Sequence, residues 1–201
     1  PSPVQTTDQY DIASITKVAA TTLAVMKLYE QHKISLDKKV GDYLHLPRES
    51  DIRALKIRDV LLHQAGLKAF FQFYKNTIGD NYNEYYSKQK SVTHSVQVAD
   101  SLFIRNDYPD SMWMQIALSE VESHPRYVYS DNDFYILQKI VEAVSHQPLD
   151  VFVQTNFYQP MGLTRIGYQP AKRVAISSIP PTEFDTVFRK QVVRGYVHDR
   201  E

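Results

Sequence analysis

Residues 18–29, Val18-Ala19-Ala20-Thr21-Thr22-Leu23-Ala24-Val25-Met26-Lys27-Leu28-Tyr29, limit what this chain can fold into more than any other stretch. They run for about three helical turns with no Gly or Pro and with Lys27 as their only charge. A helix that is apolar nearly all round is a buried one, so this segment is expected at the centre of the fold. Before it, Gln9-Tyr10-Asp11-Ile12-Ala13 reads as a short extended lead-in with Tyr10 and Ile12 on one side. The junction between the two is Ser14-Ile15-Thr16-Lys17. Residues three apart on a helix are neighbours, so Ser14 and Lys17 share a face. A serine hydroxyl is a weak nucleophile until a base takes its proton, and a desolvated lysine can be that base. At the start of an uncharged helix, loss of water and the positive end of the helix dipole both act to lower the lysine pKa.

The same spacing recurs at Ser35-Leu36-Asp37-Lys38 and at Ser87-Lys88-Gln89-Lys90, so spacing alone does not select a site. The first of these lies in a charged turn and the second in a polar run. Only Ser14 is followed by an uncharged helix. The plainer reading makes Ser14 a helix N-cap and lets Lys17 reach solvent along its methylene stem.

Composition excludes several classes of function. Of the 201 residues 43% are hydrophobic, and 23 basic side chains balance 23 acidic ones. The chain is long enough for one domain with a sizeable core, and its zero net charge gives no pull on nucleic acid or on a membrane surface. No apolar run approaches the ~20 residues of a membrane span. The absence of cysteine rules out disulfides, thiolate catalysis and Cys-ligated zinc. The seven histidines never fall four apart on a plausible helix, and no glycine-rich phosphate loop occurs, so neither metal nor cofactor is expected. Each histidine reads as a surface or helix-end residue. Six glycines are few for this length, which makes tight strand-to-strand turns scarce. The opening Pro1-Ser2-Pro3 reads as that of a trimmed chain or fragment.

Further along, Asp37 is placed to cap a short helix through Val40, Tyr43 and Leu44. Residues 56–63 form an amphipathic helix with Gly66 as its C-terminal cap. Residues 68–90, rich in Phe and Tyr, lack a clear period and read as a surface excursion. A short strand is expected within 95–104, and a helix capped by Asp110 or Ser111 runs through Leu118. Ile136, Leu137, Ile140, Val141 and Val144 mark an apolar stripe on a helix from about Asn132 to Ser145. Pro148 introduces a short helix, Leu149 to Gln154, and nothing after Pro170 reads as a strong element. From these patterns alone the fold is mainly α.

Tyr129-Ser130-Asp131 sits where an extended segment turns into that helix. A phenol beside a lysine can relay the nucleophile's proton, and a neighbouring amide or carboxyl can orient a substrate amide. A buried tyrosine followed by Ser-Asp helix capping accounts for the same residues. Tyr74-Lys75-Asn76 has a similar form, but no helix entry follows it.

Together these segments resemble the serine β-lactamase and penicillin-binding-protein superfamily, most closely its class C branch. Asp11-Ile12-Ala13-Ser14-Ile15-Thr16-Lys17 resembles the nucleophile segment of that branch. Leu61-Leu62-His63-Gln64-Ala65-Gly66-Leu67 resembles its Leu-Leu-x-His-x-Ser-Gly-Leu segment, one residue shorter before the histidine. Tyr129-Ser130-Asp131 followed by Phe134-Tyr135-Ile136-Leu137 resembles its Tyr-x-Asn segment, and Pro160-Met161-Gly162-Leu163-Thr164 a downstream Pro-Leu-Gly-Met-x-x-Thr run. The later Pro181-Thr182-Glu183, Phe188-Arg189 and Gly195-Tyr196-Val197-His198-Asp199 are similar to β-lactamase-like domains fused to family 3 glycoside hydrolases.

The resemblance implies an α+β, β-lactamase/transpeptidase-like fold, present mainly as its helical portion. It makes residues 1–201 a single incomplete domain, with the family's Lys-Thr-Gly or His-x-Gly strand and second oxyanion donor expected beyond Glu201. It implies a serine hydrolase acting through an acyl-enzyme on amide or ester substrates, or else a silent accessory module on the same scaffold. Ser14 is then the nucleophile, Lys17 the base and Tyr129 the proton shuttle, with the Ser14 N–H as half of an oxyanion hole. Asp131 stands where the family has Asn, and a carboxylate cannot donate to a substrate carbonyl unless protonated. Asn132, next in the chain, is the alternative substrate-orienting group. The implied partner is a small-molecule or peptidoglycan-like substrate in the cell envelope or periplasm, and the fragment alone is expected to be a poor catalyst.

Overall fold

The computed structural model describes residues 3–198; Pro1, Ser2, Asp199 and Glu201, which enter the sequence reading, lie outside them. In chain order the helices are α1 (Leu23–Glu30), α2 (Ile57–Leu61), α3 (Tyr82–Tyr85), α4 (Tyr108–Ala117), α5 (Asp131–Ser145) and α6 (Leu149–Val153). The strands are β1 (Tyr86–Ser87), β2 (Val96–Ala99), β3 (Leu102–Ile104), β4 (Glu183–Asp185) and β5 (Gln191–Val193). Helices dominate and the strands pair antiparallel, so the chain is α+β. The described residues fall into two compact units, one of 14–71 and 112–166, the other of 3–13, 72–111 and 167–198.

The unit of 14–71 and 112–166 is helical. α1, α5 and α6 pack on one another and α2 packs on α5. The apolar stripe of α5 is buried as its period requires, through Ile136, Leu137, Ile140 and Val141. Against it lie Ala24, Val25 and Leu28 of α1, Ile57 and Val60 of α2, and Phe152 and Val153 of α6. Ser130 is the N-cap of α5 in extended geometry, and His146 closes the helix in the left-handed region (φ 57). α1 is preceded without a break by a π-helical segment, Lys17–Thr22. A π turn carries one residue more than an α turn, so it shifts the face presented on its two sides.

The expectation that residues 18–29 are buried all round is corrected here. Ala20, Thr21, Ala24, Val25 and Leu28 are buried, but Val18, Met26 and Tyr29 are 66%, 59% and 52% exposed. α5 and α6 cover one side only, and the small side chains on that side are what allow them close. Three caps also differ: Asp110 and Ser111 lie inside α4, which begins at Tyr108, so neither caps it. Asp37 pairs with Arg58 at 3.2 Å instead of capping, and the short helix after it is a single 3₁₀ turn, Val40–Asp42. α2 ends in a Schellman turn with His63, not Gly66, in the left-handed position: His63 N–H donates to Val60 O (3.3 Å) and Gln64 N–H to Asp59 O (2.8 Å).

The second unit holds the strands. β1, β3 and β2 form a sheet in that order, with a bulge between Gln97 and Ala99. The single strand expected within 95–104 is therefore a hairpin. Residues 72–90, the part of the 68–90 excursion in this unit, are held by aromatics: Tyr108 donates its hydroxyl to Phe73 O (2.5 Å), and the Tyr86 and Thr77 hydroxyls bond at 2.7 Å. Burial pushes the Tyr108 phenol up to about 12. β4 and β5 form a short hairpin in the region after Pro170, where no strong element is expected. Its turn uses no glycine. The buried Asp185 carboxylate accepts from the backbone N–H groups of Val187, Phe188 and Arg189, and Lys190 takes the left-handed conformation (φ 55).

Candidate active site

Ser14 is exposed in the turn that enters the π segment, and the Lys17 N–H donates to Ser14 O at 3.0 Å. Just upstream, Ala13 is held in the left-handed region (φ 45) with its N–H bonded to the Asp11 carboxylate at 2.8 Å, a conformation a non-glycine residue adopts only under constraint. The Lys17 ammonium donates to Ser14 Oγ at 3.0 Å. Neither competing pair makes such a bond among the described residues. Ser35 accepts none from Lys38 and its N–H goes to the Tyr43 hydroxyl (2.7 Å), while the Ser87 hydroxyl goes to Gln89 O (2.8 Å). Tyr74 stacks on Phe188 in the strand-bearing unit.

Lys17 also forms an ion pair with Asp131 Oδ1, both side chains being largely buried. Its ammonium lies 5.1 Å from the centre of the Tyr129 ring and 5.8 Å from that of Phe134. Burial acts to lower its pKa, as the sequence suggests, but the hydrogen bond and charge of Asp131, with the Tyr129 phenol, outweigh this and hold it above the ordinary lysine value. The expectation of a lowered Lys17 is thereby corrected. A carboxylate where an amide is usual makes the difference.

The turn carrying Tyr129 and Asp131 is fastened to residues 63–69. Val128 N–H donates to His63 O (2.9 Å), Ser130 N–H to His63 Nδ1 (3.2 Å), and Asp131 N–H to Ala69 O (2.8 Å). The Ser130 hydroxyl and the Asn132 amide both donate to Lys68 O, at 2.6 and 2.9 Å. Asn132 is 1% exposed, with its amide committed to that carbonyl, whereas Asp131 meets Lys17. The structure thus brings Ser14, Lys17, Asp131 and the Tyr129 ring together and turns Asn132 inward. The Ser14 N–H makes no hydrogen bond among the described residues and is available to an oxyanion.

One pair escapes the sequence reading. His63, a helix-end residue as expected, places Nδ1 2.8 Å from Oδ2 of Asp133, and both side chains are nearly inaccessible. Its ring lies 4.7 Å from that of Tyr129 and 5.3 Å from that of Phe134. The histidine stands in a segment with a family counterpart, but 70 residues of sequence separate it from Asp133, and no local pattern joins them. Among the described residues there is no cluster of His, Asp or Glu fit to hold a metal ion, and no helix is long and apolar enough to cross a membrane.

The family model described as Beta-lactamase matches residues 1–177. Over the whole chain the sequence is 27% identical to the N-acetylmuramyl-L-alanine amidase of Bacillus subtilis, covering 45% of that protein. It is 29% identical to a Salmonella gallinarum protein named "Putative D-alanyl-D-alanine carboxypeptidase", over 98% of this chain and 45% of that one. The chain thus spans about half the length of these curated relatives. Among solved structures, an octameric penicillin-binding protein homologue from Pyrococcus abyssi superposes with a TM-score of 0.58 at 20% identity, covering 96% of this chain and 41% of the other. A penicillin-binding protein from Bacillus halodurans gives 0.52 at 20% identity, covering 94% and 49%. The fold is β-lactamase/transpeptidase-like, as the sequence resemblance implies. With a family model spanning most of its length, this chain belongs to the Beta-lactamase family.

Proposed function

We propose that the full-length protein is a serine hydrolase that forms an acyl-enzyme on Ser14, with an amide or ester of the peptidoglycan type as substrate. The observation that carries this is the 3.0 Å hydrogen bond between Lys17 Nζ and Ser14 Oγ, made by one of three Ser-x-x-Lys segments and by neither of the others. In this reading neutral Lys17 takes the Ser14 proton as Oγ attacks the scissile carbonyl. The Ser14 N–H supports the oxyanion, and Tyr129 passes a proton to the leaving group. Water then releases the acyl group from Ser14. Hydrolase relatives named for carboxypeptidase and amidase activities support the substrate class and a place in the cell envelope.

The Lys17–Asp131 ion pair favours a second reading, a silent accessory module. A lysine held protonated does not accept a proton, and an ionised Asp131 cannot donate to a substrate carbonyl as the usual amide would. Covalent labelling of the full-length protein by a fluorescent penicillin and by a phosphonate ester separates the two. The hydrolase reading expects wild type to label and Ser14→Ala to lose the label. Equal labelling of both, or labelling of neither, overturns the hydrolase reading, and labelling of neither is what the accessory reading expects.

A further inference from the structure

We propose that His63 and Asp133 are a positioning pair for the hydrolytic reaction: Asp133, as a carboxylic acid, donates to unprotonated His63 Nδ1, whose single lone pair is shared in a three-centre bond with the Ser130 N–H, which fixes Tyr129 against Lys17. The inference rests on the serine hydrolase reading. Its geometry is a clamp on either side of Tyr129. His63 takes the Val128 N–H on its backbone oxygen (2.9 Å) and the Ser130 N–H on Nδ1 (3.2 Å), while its ring supports the Tyr129 ring at 4.7 Å. The left-handed turn at the end of α2 (φ 56 at His63) gives one residue both roles.

Proton positions follow from these partners. A ring nitrogen that accepts from Ser130 N–H carries no proton of its own. Asp133 Oδ2, 2.8 Å from that nitrogen, then attracts it only as O–H. Burial pushes Asp133 up to about 8, which keeps it protonated at neutral pH. Burial also pushes His63 down, with the Lys17 ammonium adding to this and the Asp131 carboxylate opposing it. The titratable groups facing the pair are Lys17, Asp131, Tyr129 and, edge-on, Tyr127. At neutral pH the pair is therefore uncharged, with the imidazole proton on Nε2. Once Asp133 ionises, its carboxylate faces a nitrogen lone pair. The imidazole proton must then move to Nδ1, and the Ser130 N–H loses its acceptor.

The test is the pH profile of Ser14 acylation in full-length wild type and Asp133→Asn, whose amide N–H can donate to Nδ1 at any pH. The rate rises with pH as Lys17 gives up its proton. In wild type this rise levels off above about 8, while in Asp133→Asn it continues, by about tenfold per pH unit. His63→Phe keeps the ring but removes Nδ1, and should lower the acylation rate roughly 10- to 100-fold with KM nearly unchanged. Superimposable profiles for wild type and Asp133→Asn overturn the proposal. Nitrogen-15 NMR of the imidazole at neutral pH decides the proton positions without reference to activity. Protonation at Nε2 agrees with the proposal, and protonation at Nδ1 overturns it. If Ser14 never acylates, the hydrolase reading has failed, whereas the NMR result still accepts or rejects the proton arrangement.

Discussion

Lys17 is set by opposing forces, and the outcome depends on one neighbour. Burial alone favours a neutral amine, whereas the Asp131 carboxylate favours the ammonium and wins. Replacing Asp131 by Asn leaves burial without its main opponent, so the Lys17 pKa falls and more of it is neutral at a given pH. Acylation of Ser14 in Asp131→Asn should then begin at lower pH than in wild type; an unchanged or higher onset would refute the assignment of Asp131 as the group holding the proton. Asp133 works in the opposite sense on stability. Its proton leaves at the ordinary carboxylate value of 3.8 in the unfolded chain but is retained to about 8 in the folded one. Between these values the folded state binds more protons, so stability falls as pH rises, by at most about 1.4 kcal/mol per pH unit. Urea unfolding of wild type and Asp133→Asn across this range should show a slope in the first that is reduced in the second. Equal slopes would mean that Asp133 ionises normally. Ser14, Lys17, Tyr129 and Asp131 could be nominated from the sequence because each stands at a helix entry. His63 and Asp133 could not be paired, since only packing brings them into contact.

At the scale of elements, the helix of 18–29 is legible as a helix but not as a two-sided one. Leu28 is fully buried between neighbouring helices, and Met26 is 59% exposed. In the 201-residue chain Leu28→Ala should cost about 2–5 kcal/mol, because the cavity it leaves in a packed interface relaxes little. Met26→Ala should change stability by no more than about 0.5 kcal/mol. Chemical denaturation of the two variants checks this, and comparable losses would mean that the Met26 face is covered. α5 was readable almost from start to finish, since its apolar period from Ile136 to Val144 is unbroken, although the Ser130 hydroxyl bonds Lys68 O and does not cap the helix. The β4–β5 hairpin was not. Its turn dispenses with glycine and rests on the Asp185 carboxylate, and an aspartate followed by Thr-Val-Phe-Arg-Lys carries no distinctive turn signature.

For the whole molecule, the two compact units are interleaved in sequence, with the chain passing from one to the other at 13/14, 71/72, 111/112 and 166/167. Neither is a continuous segment, so unfolding one leaves the other's ends joined through a disordered loop, at an entropic cost. We propose on this ground that the chain unfolds as one domain. Trp113, the sole tryptophan, lies in the helical unit, while far-UV circular dichroism reports on both units. Their thermal transitions should coincide. Two resolved midpoints would show two independent domains.

The sequence by itself determined the family, the helical character and the residues worth testing, because these follow from local order along the chain: a helix entry, an apolar period, a motif. Tertiary structure decided which of three Ser-x-x-Lys segments forms a hydrogen-bonded pair. It also raised Lys17 where burial alone would lower it, and it set His63 against Asp133. Each of those outcomes depends on the distance between charges or donors carried by different elements, and that distance exists only after the helices have packed.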